Sequence, residues 1–488
     1  MGECGLQRLC AMWLCLCSLL SLSAGTFGQN PAIKAVLTDK GLQYGSRVVM
    51  DWLRGRIELM SVPDISGDVS IGFLGSVHYT LSNINVVQVD LPVPTVAFSE
   101  GTGIKMAVNG FSIALHGNWH TSFHIIRDGG TFDLAVFNID LSSLLHLDSD
   151  EQGHLSISSV QCDSNIGRTE MNFHGGASWI FKRFVSSFEG YINAQINARI
   201  CPMIEQNIES LESHLAAMKV SFKVTPDLLI EIPLLSPPLV QSASTELDFK
   251  GEFYSVYGHS EPPFAAGPFQ LPSADHCMVT LAVSEFCANS AAFASFSAGL
   301  LQTNITDSMI PKLSPIRLNT TSFGTFIPQL PKLFPNMLML LQVFAANMPT
   351  VSFLPDSVTL GLFGSVKAYA IKPDSSLAPL FRLDMNASFS GKFFTADGTL
   401  KGSLVLDNMT VALGSSEIGT FQTASLAVAL RTAINMAVLP ELNAKLKTGI
   451  PLPETKYVQW VNPVLKVNEG FVMLTTDTKI SPPGDQEH

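Results

Sequence analysis

Charge is what this chain has least of. Only 14% of its 488 residues are Asp, Glu, Lys or Arg, against about 25% in ordinary globular proteins. Hydrophobic residues make up 46%. Disorder is excluded, because a disordered chain couples low hydrophobicity to high net charge. Basic surface is scarce too. The formal net charge is −12, which argues against a nucleic acid as partner, since phosphate backbones demand Lys and Arg. Catalytic signatures are missing. There is no G-x-S-x-G, no H-E-x-x-H and no C-x-x-C, and Gly101-Thr102-Gly103 lacks the third glycine and the Lys-Ser/Thr of a phosphate loop. No enzyme and no cofactor are expected. Beyond the N-terminus no apolar run reaches the 18 or so residues of a membrane span. Met337–Met348 and Leu426–Leu439 come nearest, and polar or charged residues interrupt both.

What is present points to export. Arg8 precedes an apolar run from Leu9 to Leu22, and Ser23, Ala24 and Gly25 follow. Residues 1–28 read as a cleaved secretory signal. Outside them remain Cys162, Cys201, Cys277 and Cys287, and export permits disulfides. Cys277 and Cys287 are ten residues apart with a strand starting between them. Two buried thiols suit that spacing better than a bridge. Sequons at Asn304, Asn319, Asn386 and Asn408 agree with a secreted, extracellular glycoprotein.

Periodicity divides the rest. Over residues 40–60, Leu42, Val49, Leu53, Ile57 and Met60 form a helical stripe opposite Arg47, Asp51, Arg54 and Glu58. From Val69 to about Val160 the period becomes two, in short segments bounded by Gly, Asn, Asp or Pro, which predicts an antiparallel meander. A long apolar stripe follows, with Ile180, Phe184, Phe188, Ile192, Ile196, Ile200, Ile204 and Ile208 at four-residue steps. Prolines concentrate in Phe253–Ser273, the linker candidate. After it come a strand, a helix carrying Phe286, Phe293 and Phe296, another meander, a late helix over about Thr423–Leu446 broken at Pro440, and final strands. The order of elements repeats while the sequence does not, which suggests two similarly built α+β domains. The expected boundaries are 1–28 signal, 29–250 first barrel, 251–275 proline-rich linker, 276–480 second barrel and 481–488 disordered tail. The apolar excess either packs on itself or lines a tunnel for acyl chains. The pattern alone leaves both open.

Several short stretches carry a resemblance. They are Asn30-Pro31-Ala32-Ile33-Lys34-Ala35, Lys40-Gly41-Leu42-Gln43-Tyr44-Gly45, Leu247-Asp248-Phe249-Lys250-Gly251-Glu252-Phe253-Tyr254, Pro262-Pro263-Phe264, Cys277-Met278-Val279, Ser284-Glu285-Phe286, Phe334-Pro335-Asn336-Met337 and Gly449-Ile450-Pro451-Leu452-Pro453. Their order resembles the lipid-transfer and lipopolysaccharide-binding family, nearest its bactericidal/lipopolysaccharide-binding branch or that branch's fold-related secreted relatives. The resemblance implies two barrels, each a highly twisted antiparallel sheet wrapped around a long helix, joined by a central sheet into an elongated boomerang. It also implies a bound phospholipid in an apolar pocket of each barrel, and a disulfide between Cys162 and Cys201. Phospholipid or lipopolysaccharide, and a membrane or bacterial surface contacted peripherally, are the implied partners of an innate-immune, antibacterial protein. A monomer is expected.

Helical phase assigns Val49, Leu53, Ile57, Phe184, Phe188, Ile192 and Ile196 to the first pocket, and Phe286, Phe293, Phe296, Leu430, Ile434 and Val438 to the second. One feature departs from the family. Its basic hairpin falls here on His116–Arg127, where Trp119, His120, His124 and Arg127 are the candidate headgroup contacts and imidazoles replace most fixed positive charge. Residues 29–250 hold 14 Lys+Arg and 23 Asp+Glu, a net of −9. That acidity favours the alternative function of a non-bactericidal extracellular lipid carrier or transfer protein. His116, His120 and His124 sit about 13 Å apart along one strand, too far to share a metal. No metal is expected.

Overall fold

A computed structural model describes residues 29–481 apart from 59–60, 63, 71–74, 124–125, 177, 179–184, 274–275, 311–315 and 453–457. The leader, the C-terminal tail, Phe184 and His124 lie outside these described residues. Four antiparallel sheets organise what is described.

The six-stranded sheet runs in the order Leu239–Val240, Ser244–Phe249, Ile33–Thr38, Val279–Ser284, Phe471–Ile480, Val458–Val467. Its two middle strands are the first strands of the two halves, antiparallel with Ala35 opposite Leu281. Each half then adds two of its own later strands on the outer side. Each middle strand passes without a loop into a helix, Asp39–Glu58 or Glu285–Ser297. Both helices open on a carboxylate, which suits the positive end of the helix dipole.

Two larger sheets form the barrels. The first is built on Ser76–Asp90, Gly103–Phe123, Ile126–Ser149 and Leu155–His174. The second is built on Leu338–Ala345, Ser357–Ile371, Leu377–Ala396 and Thr399–Ser416. Strands of 20 or more residues, such as Gly103–Phe123 and Ile126–Ser149, are several times the usual five or six or so. The sequence reading cut these strands at Asn and Gly. The structure keeps them whole. Asn83, Gly110 and Asn138 take positive φ (51°, 75° and 53°), and the register slips beside them. An extra residue in the left-handed region makes a bulge that bends a strand without ending it. Gly167 lies against Asn138, where a Cβ would come within 2.8 Å of the Asn138 Cβ. The sheet bends along this line.

Each curled sheet ends in a long strand, Leu155–His174 or Thr399–Ser416, whose outer side is largely without a partner strand (only Thr399 and Leu400 pair, with Pro451 and Ile450), and in each a long helix covers it. Helix Val185–Ala216 runs antiparallel to Leu155–His174. Glu189 accepts from the Met171 N–H (3.0 Å), Asn197 Oδ1 from Ser164 Oγ (2.9 Å), and Glu212 from the Ile157 N–H (2.6 Å) and Ser156 Oγ (2.9 Å). Cys162 and Cys201 are joined between them, with Cα atoms 5.7 Å apart. In the second half Asn443 accepts from the Leu404 N–H (2.7 Å) and donates to its carbonyl (2.9 Å), as a neighbouring strand would. Thr423 Oγ1 donates to the Val411 carbonyl (2.9 Å). Unpaired edge groups invite another chain, and Glu189, Glu212, Thr423 and Asn443 satisfy some of them.

The late helix is not broken at Pro440 alone. Ala424–Ala433 passes into a π-turn, Ile434–Val438, and then into Leu439–Thr448. Proline cannot donate to the preceding turn, and the widened turn absorbs the defect. The linker also starts later than expected. Glu252–Ser255 is a strand paired with Leu228–Glu231, so residues from about 256 onward make the irregular proline segment. Phe264 of that segment lies edge-on to Phe286 (5.7 Å) and Phe293 (6.3 Å), and Phe269 stacks on Phe471 (5.0 Å). Cys277 and Cys287 are buried thiols.

The disulfide spans 39 residues, a loop whose closure entropy corresponds to about 4 kcal/mol in the chain-entropy model. Cys162→Ser/Cys201→Ser should lose stability of that order, read as a lower denaturant midpoint, and dithiothreitol should reproduce the loss in the unmodified chain.

Candidate functional site

Two regions matter, the apolar helix faces and the outer face of the first sheet near its far end. For the helix faces, the side chains of Val49, Leu53, Ile57, Phe188 and Ile192, like the whole of Phe184, lie outside the described residues. Ile196 packs with Val185 and Ile200 against the first core, which centres on Trp119, Phe132, Tyr79 and Leu134. In the second half Leu430 packs on the core of Leu318, Ile327, Leu330, Met339 and Leu380. Ile434 and Phe296 are half-buried. Phe286 and Phe293, assigned to the second pocket, are engaged by Phe264 instead. The adjoining side of their helix, with Cys287, Ser290 and Ala294, is buried. Ser290 Oγ accepts from the Phe253 N–H (3.1 Å), so small residues let that side sit close to the strand and turn the phenylalanines toward the linker.

The late helix carries much exposed apolar surface. Val428 is 67% exposed, Met436 76%, Val438 49% and Leu442 41%. Ala424–Thr448 is long and apolar enough to cross a membrane by length and composition. Its ties to the sheet edge through Thr423, Leu430 and Asn443 make it part of the second barrel.

On the first sheet the paired strands alternate between core and solvent. Trp119 points inward and is 1% exposed. Its indole N–H donates to the His174 carbonyl (3.2 Å), and its ring meets Phe173 edge-on at 5.8 Å. It is therefore a core residue and not a headgroup contact, because it has the opposite phase to His120. His120 and Arg127 do face outward. They line a cavity of about 170 Å³ with His78, Thr80, Thr121, Ser122 and Asp128.

Beside this cavity, register brings together residues remote in sequence. His116 stands opposite Asp133, with Nδ1 and Oδ1 2.7 Å apart. His174 Nε2 reaches the other Asp133 oxygen at 2.9 Å. The bonds from His116 and then His174 hold the Asp133 carboxyl below the usual carboxylate range. His78 lies 3.1 Å from Asp68. Sequence reading found His116 and His120 but missed His78, His174 and Asp133. The alternation of each strand was visible, but the register that joins the strands was not. No cluster of three or more metal-ligating side chains able to hold an ion occurs among the described residues. A second cavity of about 350 Å³ lies between the long helix and its edge strand, lined by Glu205, Ile208, Glu209, Glu212, Ile157, Ser158 and Ser159.

Two helix-sealed sheets sharing a central sheet agree with what known proteins show. Residues 41–213 match the N-terminal domain of the LBP / BPI / CETP family, and residues 223–480 match its C-terminal domain. The chain belongs to the LBP / BPI / CETP family. It is 38% identical over 470 residues to the bactericidal permeability-increasing protein of Sebastes schlegelii, covering 96% of this chain and 99% of that one. It is 28% identical over 467 residues to the lipopolysaccharide-binding protein of Bos taurus, covering 96% and 97%. A crystal structure of lipopolysaccharide binding protein superposes with a TM-score of 0.58 at 26% identity, covering 92% of this chain and 99% of that chain. The α+β architecture read from the sequence is that of this family.

The opposite facing of adjacent residues has a measurable consequence. Trp119→Ala should cost about 3–5 kcal/mol of unfolding free energy, whereas His120→Ala should stay within about 0.5 kcal/mol. Urea denaturation of the two variants reads the difference.

Proposed function

We propose that this chain is an exported, non-enzymatic lipid-binding protein of innate defence. It takes phospholipid or the lipid portion of lipopolysaccharide by the acyl chains and leaves the headgroup at the surface. The observation that carries the reading is the late helix, which is fastened to a sheet edge on one side and keeps Val428, Met436, Val438 and Leu442 exposed on the other. Apolar surface of this kind in a water-soluble carrier calls for a cover, and hydrocarbon chains provide one. Burying two chains of about 16 carbons removes roughly 30 methylenes from water, a gross gain above about 20 kcal/mol. Leaving a bilayer costs nearly as much, so uptake is an exchange. The names of the two relatives, bactericidal permeability-increasing and lipopolysaccharide-binding, support the choice of ligand. The Cys162–Cys201 disulfide supports an oxidising compartment.

A second reading has its own observation. The first half carries a net charge of −9, and its outer face offers imidazole where lipid A phosphates prefer Arg and Lys. This favours a lipid carrier or transfer protein without bactericidal action. Purification from an exporting cell, solvent extraction and mass spectrometry should recover a diacyl amphiphile. Recovery of none would remove both readings. Equal affinity for neutral phosphatidylcholine and lipid A would select the carrier, and preference for lipid A the defence role.

A further inference from the structure

We propose that the outer face of the first sheet is an acid-gated docking surface for anionic lipid membranes. Five strands build it, and register places its charged and titratable groups. Ile65–Ser70 contributes Asp68. Ser76–Asp90 contributes His78, which is opposite Asp68. Gly103–Phe123 contributes His116 and His120, both exposed. Ile126–Ser149 contributes Arg127 and Asp133, with Asp128, opposite Thr121 and of the other phase, also lining the cavity. Leu155–His174 contributes His174, with Arg168 and Glu170 paired at 3.2 Å further along. Thr80 stands opposite His120 and Ser122 opposite His78, so His78 and His120 are diagonal neighbours around one cavity. Asp133 joins His116 to His174.

The arrangement sets the local charge at this end of the sheet, apart from the remainder that carries Asp90, Lys105, Asp140 and Asp163. With neutral imidazoles, two arginines against four carboxylates leave the described groups at −2. Four imidazolium charges turn this into +2. Imidazole ordinarily gains its proton as pH falls through about 6.5. Asp133, held below the usual carboxylate range by His116 and His174, stays ionised across that range. A face that repels phosphate-bearing headgroups at neutral pH therefore attracts them in mild acid. The four rings lie on one sheet face beside outward Ser, Thr and Asn, so protonation needs no rearrangement of the core.

This inference takes its ligand class from the lipid-binding reading, but the two fail separately. Sedimentation of the full chain with phosphatidylcholine/phosphatidylglycerol (70:30) vesicles tests it at pH 7.5 and 5.5. Binding should rise about tenfold or more on acidification, fall in high salt, and stay low on pure phosphatidylcholine. His78→Gln/His116→Gln/His120→Gln/His174→Gln should lose the rise. The same four positions changed to Arg should bind at pH 7.5 as the unmodified chain binds at pH 5.5, a gain that misfolding on apolar surface would not confine to anionic vesicles. His146→Gln/His214→Gln should leave the rise intact. A flat pH profile, a rise that survives the fourfold Gln change, or an Arg variant no better than the unmodified chain at pH 7.5 would overturn the proposal. Lipid recovered by extraction alongside a flat profile would overturn the gate and leave lipid carriage standing. An acid-dependent profile with no extractable lipid would do the reverse.

Discussion

The architecture rests on the antiparallel pairing of Ile33–Leu37 with Val279–Val283. Each strand is the first of its half, and each needs a partner on the side its own half leaves open. The other half supplies it. Polar and charged side chains then fix the seam. Thr38 Oγ1 donates to the Cys277 carbonyl (2.6 Å), Lys40 pairs with Asp477 at 2.8 Å, and Tyr44 OH accepts from the Ile480 N–H (3.2 Å). Lys34 holds Glu246 and Asp248 on the neighbouring strand. A chain with few charges thus commits several of them to the junction.

From that junction both halves solve the same problem. A strand of about 20 residues exposes more backbone at its edge than a hairpin can pair. Glu189 and Glu212 in one half, and Thr423 and Asn443 in the other, bring side-chain oxygens and nitrogens to some of the missing positions. The helices are therefore walls as well as fillers. A helix fastened along one line keeps part of its circumference out of the core, and on the late helix that part carries Val428, Met436, Val438 and Leu442 exposed.

Much of this was legible in the sequence. The switch from helical spacing to alternation and the repeated order of elements follow from local rules and hold in the structure. What was not legible depends on pairing. Asn83, Gly110 and Asn138 look like turn residues because positive φ usually closes a turn, and only long partner strands on both sides turn them into bulges. Trp119 and His120 are adjacent and opposite, and nothing local says which faces the core. Phe286 and Phe293 have the spacing of a pocket lining, yet Phe264 reaches them from a segment with no periodicity at all. The histidine face belongs to the same class, since its members come from five strands.

The two walls are fixed by different means. Sulfur anchors the first near its middle, while amide and hydroxyl contacts hold the second, which also contains a widened turn ahead of Pro440. Hydrogen bonds reopen singly and often, and a covalent pin does not. The second wall is the one that can peel back locally, so the halves share a plan but not a rate of local opening, and reduction of one sulfur pair would narrow that difference.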